Sequence, residues 1–307
     1  MLWLVLSILS GIIWAFGTFL DNYIADVTFK NRRPQAIKVF NSFSYLLIAL
    51  IIFLFFGVEQ TAIATAAWLL AAGIITSIAS IPYYAALKHE ESTGSAIYYQ
   101  LQPIFYLLAD LLIFHKSISF MQGIALFILM LAPVIIISSR RRQKARKRAL
   151  STAAIFILYV FLLSVGSIIT THATADSNTP YLTVFFYFML GRGISDSILC
   201  LTQKSWRARF KYVARHDRKR LILSLSAAQI LSIIGEFTTR LALALSSAAI
   251  VAALVNSFEL ILIFIFGIIL TLKWPEFGRE KLNRHIIVAH LVAILLCISG
   301  ILILQFA

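Results

Sequence analysis

Apolar runs close to or above the roughly 20 residues that a helix needs to cross a hydrocarbon core alternate with short polar or basic connections along the whole chain. Read by that pattern, the expected spans are 2–25, 36–57, 66–88, 93–114, 119–138, 152–172, 181–202, 221–243, 247–271 and 285–306. Runs such as FNSFSYLLIALIIFLFF lack the period-two alternation of barrel strands. Backbone groups in lipid must pair within their own segment, so the spans are expected to be helices. The divisions at HKSIS and ALSS rest on few polar residues, but fusing runs there gives segments too long for one crossing, so ten spans are preferred to eight. The opening run, MLWLVLSILSGIIWAFGTFLDNYIADV, has no basic leader or A-x-A site and is expected to be a retained helix.

Composition agrees: of 307 residues 60% are hydrophobic and 13% charged. The net charge of +14 raises the question of nucleic acid, and the placement of the cations answers it. All but three of the 27 Lys and Arg fall in odd-numbered loops, among them Lys30, Arg32, Arg33 and Lys38 in the first, RRRQKARKR in the fifth and QKSWRARFKYVARHDRKR in the seventh. The exceptions are Arg192 and Arg240 within spans and Lys116 in an even loop. The positive-inside rule makes the odd loops cytoplasmic and both termini external. The loop around Trp206, Phe210 and Tyr212 is read as a topology signal with lipid contact; it carries no base-reading module. Cys200 and Cys297 lie in separate apolar spans and suggest no disulfide. His172, His285 and His290 have no metal-ligand spacing, and no phosphate-binding loop is present, so neither a metal, a cofactor nor ATP drive is expected.

Charged groups at bilayer depth are costly and by default mark function. Glu259 lies mid-span in LVNSFELILIFIFGIIL, with Asn256 one turn before it on the same face. It is read as a site for a substrate amine or a proton, or else as a paired carboxylate with Arg192 as its partner. In span four, Tyr99, Gln102, Tyr106 and Asp110 follow one helical face, and Pro103 is expected to bend the helix and free a carbonyl beside a cavity. Arg192 with Asp196 and Glu236 with Arg240 stand at i, i+4 and read as structural charge pairs, Arg240 reaching outward and Arg192 doubling as an acceptor of an anionic group. Tyr83, Tyr84 and Trp14 are either cavity aromatics or ordinary packing.

The basic stretch 139–151 divides the chain into halves 1–138 and 152–307 of five spans each. YYQLQPIFYLLADLL in the first aligns with NSFELILIFIFGIIL in the second, so that Tyr99 matches Asn256, Gln102 matches Glu259 and Pro103 matches Leu260. An odd number of spans per half inverts one half relative to the other. The segments YYAALKHEESTGSAIYYQLQPIFYLLADLLIFHKSISFMQGIALFILMLAPVIII and RLALALSSAAIVAALVNSFELILIFIFGIILTLKWPEFGREKLNRHIIVAHLVAILLCISGILIL resemble the drug/metabolite transporter superfamily, specifically its ten-helix EamA-like exporters. The resemblance implies an all-α integral membrane protein of two inverted five-helix repeats. It departs in FHKSIS, which lacks the family's carboxylate after the fourth span, with Glu276 as the second-half counterpart.

The expected function is a secondary transporter of small organic metabolites or drug-like compounds across the cytoplasmic membrane, an exporter with proton coupling as an option. The alternatives are a lipid flippase on the same scaffold or, less favoured, an integral membrane enzyme. Expected partners are a small-molecule substrate and membrane lipids, with a homodimer left open and no nucleic acid.

Overall fold

The computed structural model describes residues 2–30, 32–87, 92–113, 119–138, 143–175, 179–246, 248–274 and 283–306, apart from the side chains at 110, 126, 133, 136, 137, 143–149, 175 and 304–306. The described residues contain helices and no strand. Helix α1 (Leu2–Tyr23) continues through a π-turn at Ile24–Thr28, and a 3-10 turn at Pro34–Ile37 opens α2 (Lys38–Phe55). There follow α3 (Ile63–Leu87), α4 (Ser92–Tyr99), α5 (Gln102–Leu112), α6 (Phe120–Ser138) and α7 (Gln143–Ala175). The chain ends with α8 (Tyr181–Thr202), α9 (Lys204–His216), α10 (Arg218–Leu245), α11 (Ala248–Lys273) and α12 (Arg284–Phe306). Among the described residues, eight segments are long and apolar enough to cross a membrane: Leu2–Thr28, Pro34–Phe55, Ile63–Ala86, Leu150–Thr174, Tyr181–Thr202, Arg218–Leu245, Ala248–Lys273 and Arg284–Ile303.

Four expectations change. The span expected at 93–114 is two short helices, because Pro103 offers no N–H to the Tyr99 carbonyl one turn back. The chain tightens there instead: the Gln100 and Leu101 amides reach only three residues back, to the Ile97 and Tyr98 carbonyls at 3.2 and 3.1 Å. The single face drawn from Tyr99 to Asp110 is thereby split between α4 and α5, and the Asp110 side chain lies outside the described residues. The basic stretch expected as a linker at 139–151 is helical from Gln143 onward and forms the first turns of α7, while 139–142 and Glu276 lie outside the described residues. The seventh loop contains a helix, α9, whose Trp206, Phe210 and Val213 recur at i, i+4, i+7 and pack against the protein. Lys38, counted as a loop cation, is the first residue of α2 and is fully buried.

The interior inverts the soluble pattern. Phe55, Ile63, Phe120 and Leu295 face outward, whereas Ser10, Thr18, Asn41, Arg192, Asp196, Glu236, Arg240, Asn256 and Glu259 are buried. Lipid tails are as apolar as leucine, so exposure of an apolar side chain costs little there and polar groups must find partners between helices. Small residues make the helix contacts close. A Cβ on Gly73 of α3 would lie 2.2 Å from the Phe188 carbonyl oxygen of α8, and one on Gly191 would lie 2.3 Å from that of Leu70. Gly11 of α1 abuts the Val255 carbonyl and Phe258 of α11 in the same way, and Gly300 of α12 abuts Leu129 of α6.

The principal neighbours are α1 with α10 and α11, α2 with α8, α3 with α7 and α8, α4 and α5 with α11, and α6 with α12. Contacts along each pair give its sense. Antiparallel α2 and α8 meet at Lys38 and Asp196, at Tyr45 and Arg192 and at Phe53 and Phe186. By contrast α3 and α8 run parallel, Gly73 lying against Phe188 and Ser77 bonding Asp196 further on.

One buried ion pair ties three of these helices. The Lys38 ammonium donates to Asp196 Oδ1 at 2.6 Å, to the Ser77 carbonyl at 2.7 Å and to Ser77 Oγ at 3.3 Å, so all three of its protons are used. Removing one partner leaves an uncompensated buried charge, typically a loss of about 3–5 kcal/mol, whereas replacing both with apolar groups is often neutral. Asp196→Leu is therefore expected to lower the melting temperature in detergent sharply, and Lys38→Met with Asp196→Leu to restore most of it, as read by scanning fluorimetry.

Candidate functional site

The helices enclose a cavity of about 130 Å³ lined by side chains from α1, α2, α3, α4, α5, α7, α8, α10 and α11. Trp14, Tyr83, Tyr84, Tyr99, Gln102, Tyr106, Arg192, Asn256 and Glu259 all line it, as do Glu236 and Arg240. Asp196 does not line it; its carboxylate is engaged by Lys38 and Ser77.

The acidic part of the wall depends on the close approach of α1 and α11 at Gly11. That contact lets Thr18, two turns further along α1, donate to Glu259 Oε1 at 2.9 Å. The carboxylate is buried, and Arg192 is not its partner. Asp21 lies three residues after Thr18 on the same face of α1 and accepts a hydrogen bond from the Tyr83 hydroxyl at 3.0 Å. Four tyrosine rings adjoin these carboxylates. Tyr83 stacks on Tyr159 at 4.9 Å between centroids and lies 5.1 Å from Tyr84, and Tyr99 meets Tyr159 edge-on at 5.6 Å. Two carboxylates held by hydroxyl donors beside aromatic faces form a pocket for a cation.

The opposite charge gathers around Glu236. Arg240 donates to its Oε1 at 2.7 Å, and Arg192 approaches its Oε2 at 3.3 Å across the α8–α10 interface. The i, i+4 pair expected within α8 between Arg192 and Asp196 is not formed, because Lys38 holds Asp196 and Arg192 turns to Glu236 instead. Arg240 also points inward, not outward: it lies 3.4 Å over the Phe188 ring and donates to Thr170 Oγ1 at 2.9 Å. Arg192 sits 4.2 Å over Tyr45, and its Nε proton has no acceptor among the described residues. Two guanidinium groups around one carboxylate leave an excess positive charge, and an unused N–H on a cavity wall is a donor for an anionic or carbonyl oxygen.

The broken span joins α11 at the repeat-aligned positions. Asn256 Nδ2 donates to the Tyr99 carbonyl, the group that Pro103 leaves free, at 2.8 Å, and to Gln102 Oε1 at 3.2 Å. In return Gln100 Nε2 donates to the Asn256 carbonyl at 2.7 Å. Gln102 then passes a hydrogen bond to the Tyr106 hydroxyl at 3.0 Å, and Trp14 Nε1 donates to Thr239 Oγ1 at 3.0 Å on the α1–α10 side. Asn256 is thus a clamp on an unwound backbone as well as a lining residue.

Sequence reasoning had not selected Thr18, Asp21, Tyr45, Tyr159 or Gln100. Thr18 and Asp21 carried a signal, an i, i+3 polar face near the end of an apolar span. Tyr159 carried none, since a lone tyrosine in an apolar run reads as packing.

Comparison with known proteins places this geometry in context. Residues 1–138 match the EamA-like transporter family, which is part of the drug/metabolite transporter superfamily. No curated protein matches the chain. A solved structure described only as "Crystal structure of protein" aligns over 97% of this chain and 96% of its own, with a TM-score of 0.57 and 14% identity. That likeness shows a shared fold. The apolar helices, together with the match over residues 1–138, mark a multi-pass membrane protein.

Replacing Asn256 by leucine leaves the Tyr99 carbonyl and Gln102 Oε1 without their donor, while Gln100 keeps its bond to the backbone carbonyl of residue 256. Each buried group so stranded costs about 1–3 kcal/mol. Asn256→Leu is therefore expected to lower the melting temperature and to speed deuterium exchange of the backbone amides around Gln100 and Leu101, measured by mass spectrometry, while Asn41→Leu in α2 leaves exchange at the break unchanged.

Proposed function

We propose that this protein is a secondary transporter of small polar organic metabolites, working by alternating access around the cavity between its two halves. The observation that carries the reading is that charged and aromatic side chains from nine helices converge on one buried cavity in an otherwise apolar protein. In lipid such groups are retained for use, and cavities of this kind lie between repeats in secondary transporters.

Several observations support ten spans in two inverted repeats. The family match stops at residue 138, where the expected first half ends. Numbering helices within halves, and counting α4 and α5 as one, the first of each half packs on the third of the other: α1 on α10 and α7 on α3. The second, fourth and fifth pack on their own counterparts, α2 on α8, α4 and α5 on α11, and α6 on α12. A two-fold axis demands that exchange pattern. The aligned Tyr99 and Asn256 touch, as residues near such an axis do. The symmetry is broken most strongly where α3 packs tightly on α8, whereas its counterpart, α2 with α10, is marginal. An unequal pair of this sort is what a one-sided state of alternating access requires.

Cavity chemistry narrows the cargo. A volume of about 130 Å³ is well below the roughly 300–1,000 Å³ of pockets for drug-sized ligands, which favours a small metabolite over a drug or a lipid. The carboxylate and tyrosine wall suits a cationic group, and Arg192 suits an acceptor oxygen. We assign Asp21 and Glu259 the exchange of a proton for the cationic group, which makes the transport an export driven by the proton gradient. The concentration of Lys and Arg in the odd connections supports a cytoplasmic position for them and for α9.

The test is transport in proteoliposomes under an imposed pH gradient, with a panel of small amines, amino acids, phosphorylated metabolites and a fluorescent lipid. Glu259→Gln and Asp21→Asn are each expected to cut gradient-driven flux of the transported solute by about tenfold or more, equivalent to about 1.4 kcal/mol, with melting temperatures near wild type. Full pH-dependent flux in both variants would remove the carboxylates from coupling. Movement of the lipid alone would make the protein a flippase.

A further inference from the structure

The basic helix α9 is a charged feature that the cavity does not use. Its Trp206, Phe210 and Val213 pack inward, while Lys204, Arg207, Lys211 and Arg215 are exposed and the helix carries no acidic residue. Arg218, Lys219 and Arg220 extend the exposed charge into the start of α10, where Asp217 pairs with Arg220 at 3.2 Å. Lys30, Arg32 and Arg33 beyond α1 are exposed as well.

Position distinguishes this surface from a solvated charge run. α9 joins the end of one apolar span, Tyr181–Thr202, to the start of another, Arg218–Leu245, so it lies at the level where hydrocarbon gives way to headgroups. Large apolar side chains are exposed on either side of it, Leu201 before and Ile222 and Leu223 after, with Tyr212 exposed on the helix itself. Cations flanked by exposed aliphatic residues and a tyrosine suit a surface that offers phosphates and acyl chains together. Nucleic acid offers no acyl layer for those side chains.

The helix is also wired to the transport helix. Arg209, on the inner side of α9, donates through Nη2 to the Phe29 carbonyl at 2.5 Å and through Nε to the Arg32 carbonyl at 3.1 Å. Those carbonyls end the continuation of α1, which carries Thr18 and Asp21 into the cavity. We propose that the exposed basic face of α9 is a docking surface for anionic phospholipid headgroups, and that Arg209 transmits its position to the end of α1. The surface binds lipid whether or not the cavity carries the proposed cargo.

The experiment titrates short-chain phosphatidylglycerol and phosphatidylcholine into the detergent-solubilised full-length protein, with bound lipid counted by native mass spectrometry. Wild type is expected to prefer phosphatidylglycerol, and the preference is expected to fall with added salt. Changing Lys204, Arg207, Lys211 and Arg215 together to glutamine is expected to weaken phosphatidylglycerol binding by roughly a thousandfold, given the contribution of each cation near an anionic surface. Arg209→Gln should leave lipid binding intact but abolish the slowing of deuterium exchange at Phe29 to Arg33 that phosphatidylglycerol produces in wild type. Equal binding of the two lipids, or an unchanged preference in the quadruple variant, would overturn the assignment. So would displacement of the lipid by equimolar glycerol phosphate or by a single-stranded oligonucleotide, which would make the face a phosphate or nucleic-acid site.

Discussion

In hydrocarbon a polar group has no solvent to fall back on, and every buried donor or acceptor must be matched inside the protein. The fold is organised by that constraint. Lys38, Ser77 and Asp196 close a circuit among α2, α3 and α8, and Asn256, Gln100 and the Tyr99 carbonyl close another where the fourth span breaks. Those circuits still leave Asp196 Oδ2 and Gln100 Oε1 without a partner among the described residues, and the cavity wall carries further incompletely matched groups: Arg192 with its unused Nε, and Asp21 and Glu259 held by hydroxyl donors instead of cations. Incomplete matching in a cavity is where a substrate or a proton has something to gain.

The small residues matter for the same reason. Helices in lipid gain little from burying apolar area against one another, so close backbone approach at Gly11, Gly73 and Gly191 supplies dispersion contact instead. At Gly11 the approach has a chemical consequence, since it sets the reach of Thr18 to Glu259. At Gly73 and Gly191 it has a mechanical one, fixing α3 against α8 on one side of the cavity while α2 and α10 stay nearly apart. A polar interior held by discrete contacts of this kind rearranges between alternatives more readily than it deforms.

Much of this was legible in the sequence, for a physical reason: intramembrane polar residues are scarce enough that each is informative. Glu259, Asn256, Tyr99, Gln102, Tyr106 and Arg192 were selected from three separate spans, and they share one cavity. The i, i+4 pair of Glu236 and Arg240 formed as its spacing suggested, but pairing between helices was not legible, because that spacing specifies only what a helix can do alone. Arg192 turned to another helix, Asp196 to a lysine that had been counted as a loop charge, and Glu259 to a threonine 241 residues away. The break in the fourth span lay between these cases: Pro103 announced a freed carbonyl, but only the fold shows that Asn256 takes it. The helix α9 was legible and overlooked, its apolar stripe hidden by the density of cations around it.

The central claim is that the unequal pair of interfaces, α3 with α8 and α2 with α10, exchanges roles during transport. It is tested most directly by electron–electron resonance distances in liposomes, with one spin-label pair at Ala62 and Pro180 beside the Thr61–Thr179 hydrogen bond and a second pair at Arg33 and Lys219 on the opposite face. Reversing the pH gradient should lengthen one distance as it shortens the other, with both states visible in each distribution. Two single, unchanging distances across all gradients would contradict the account.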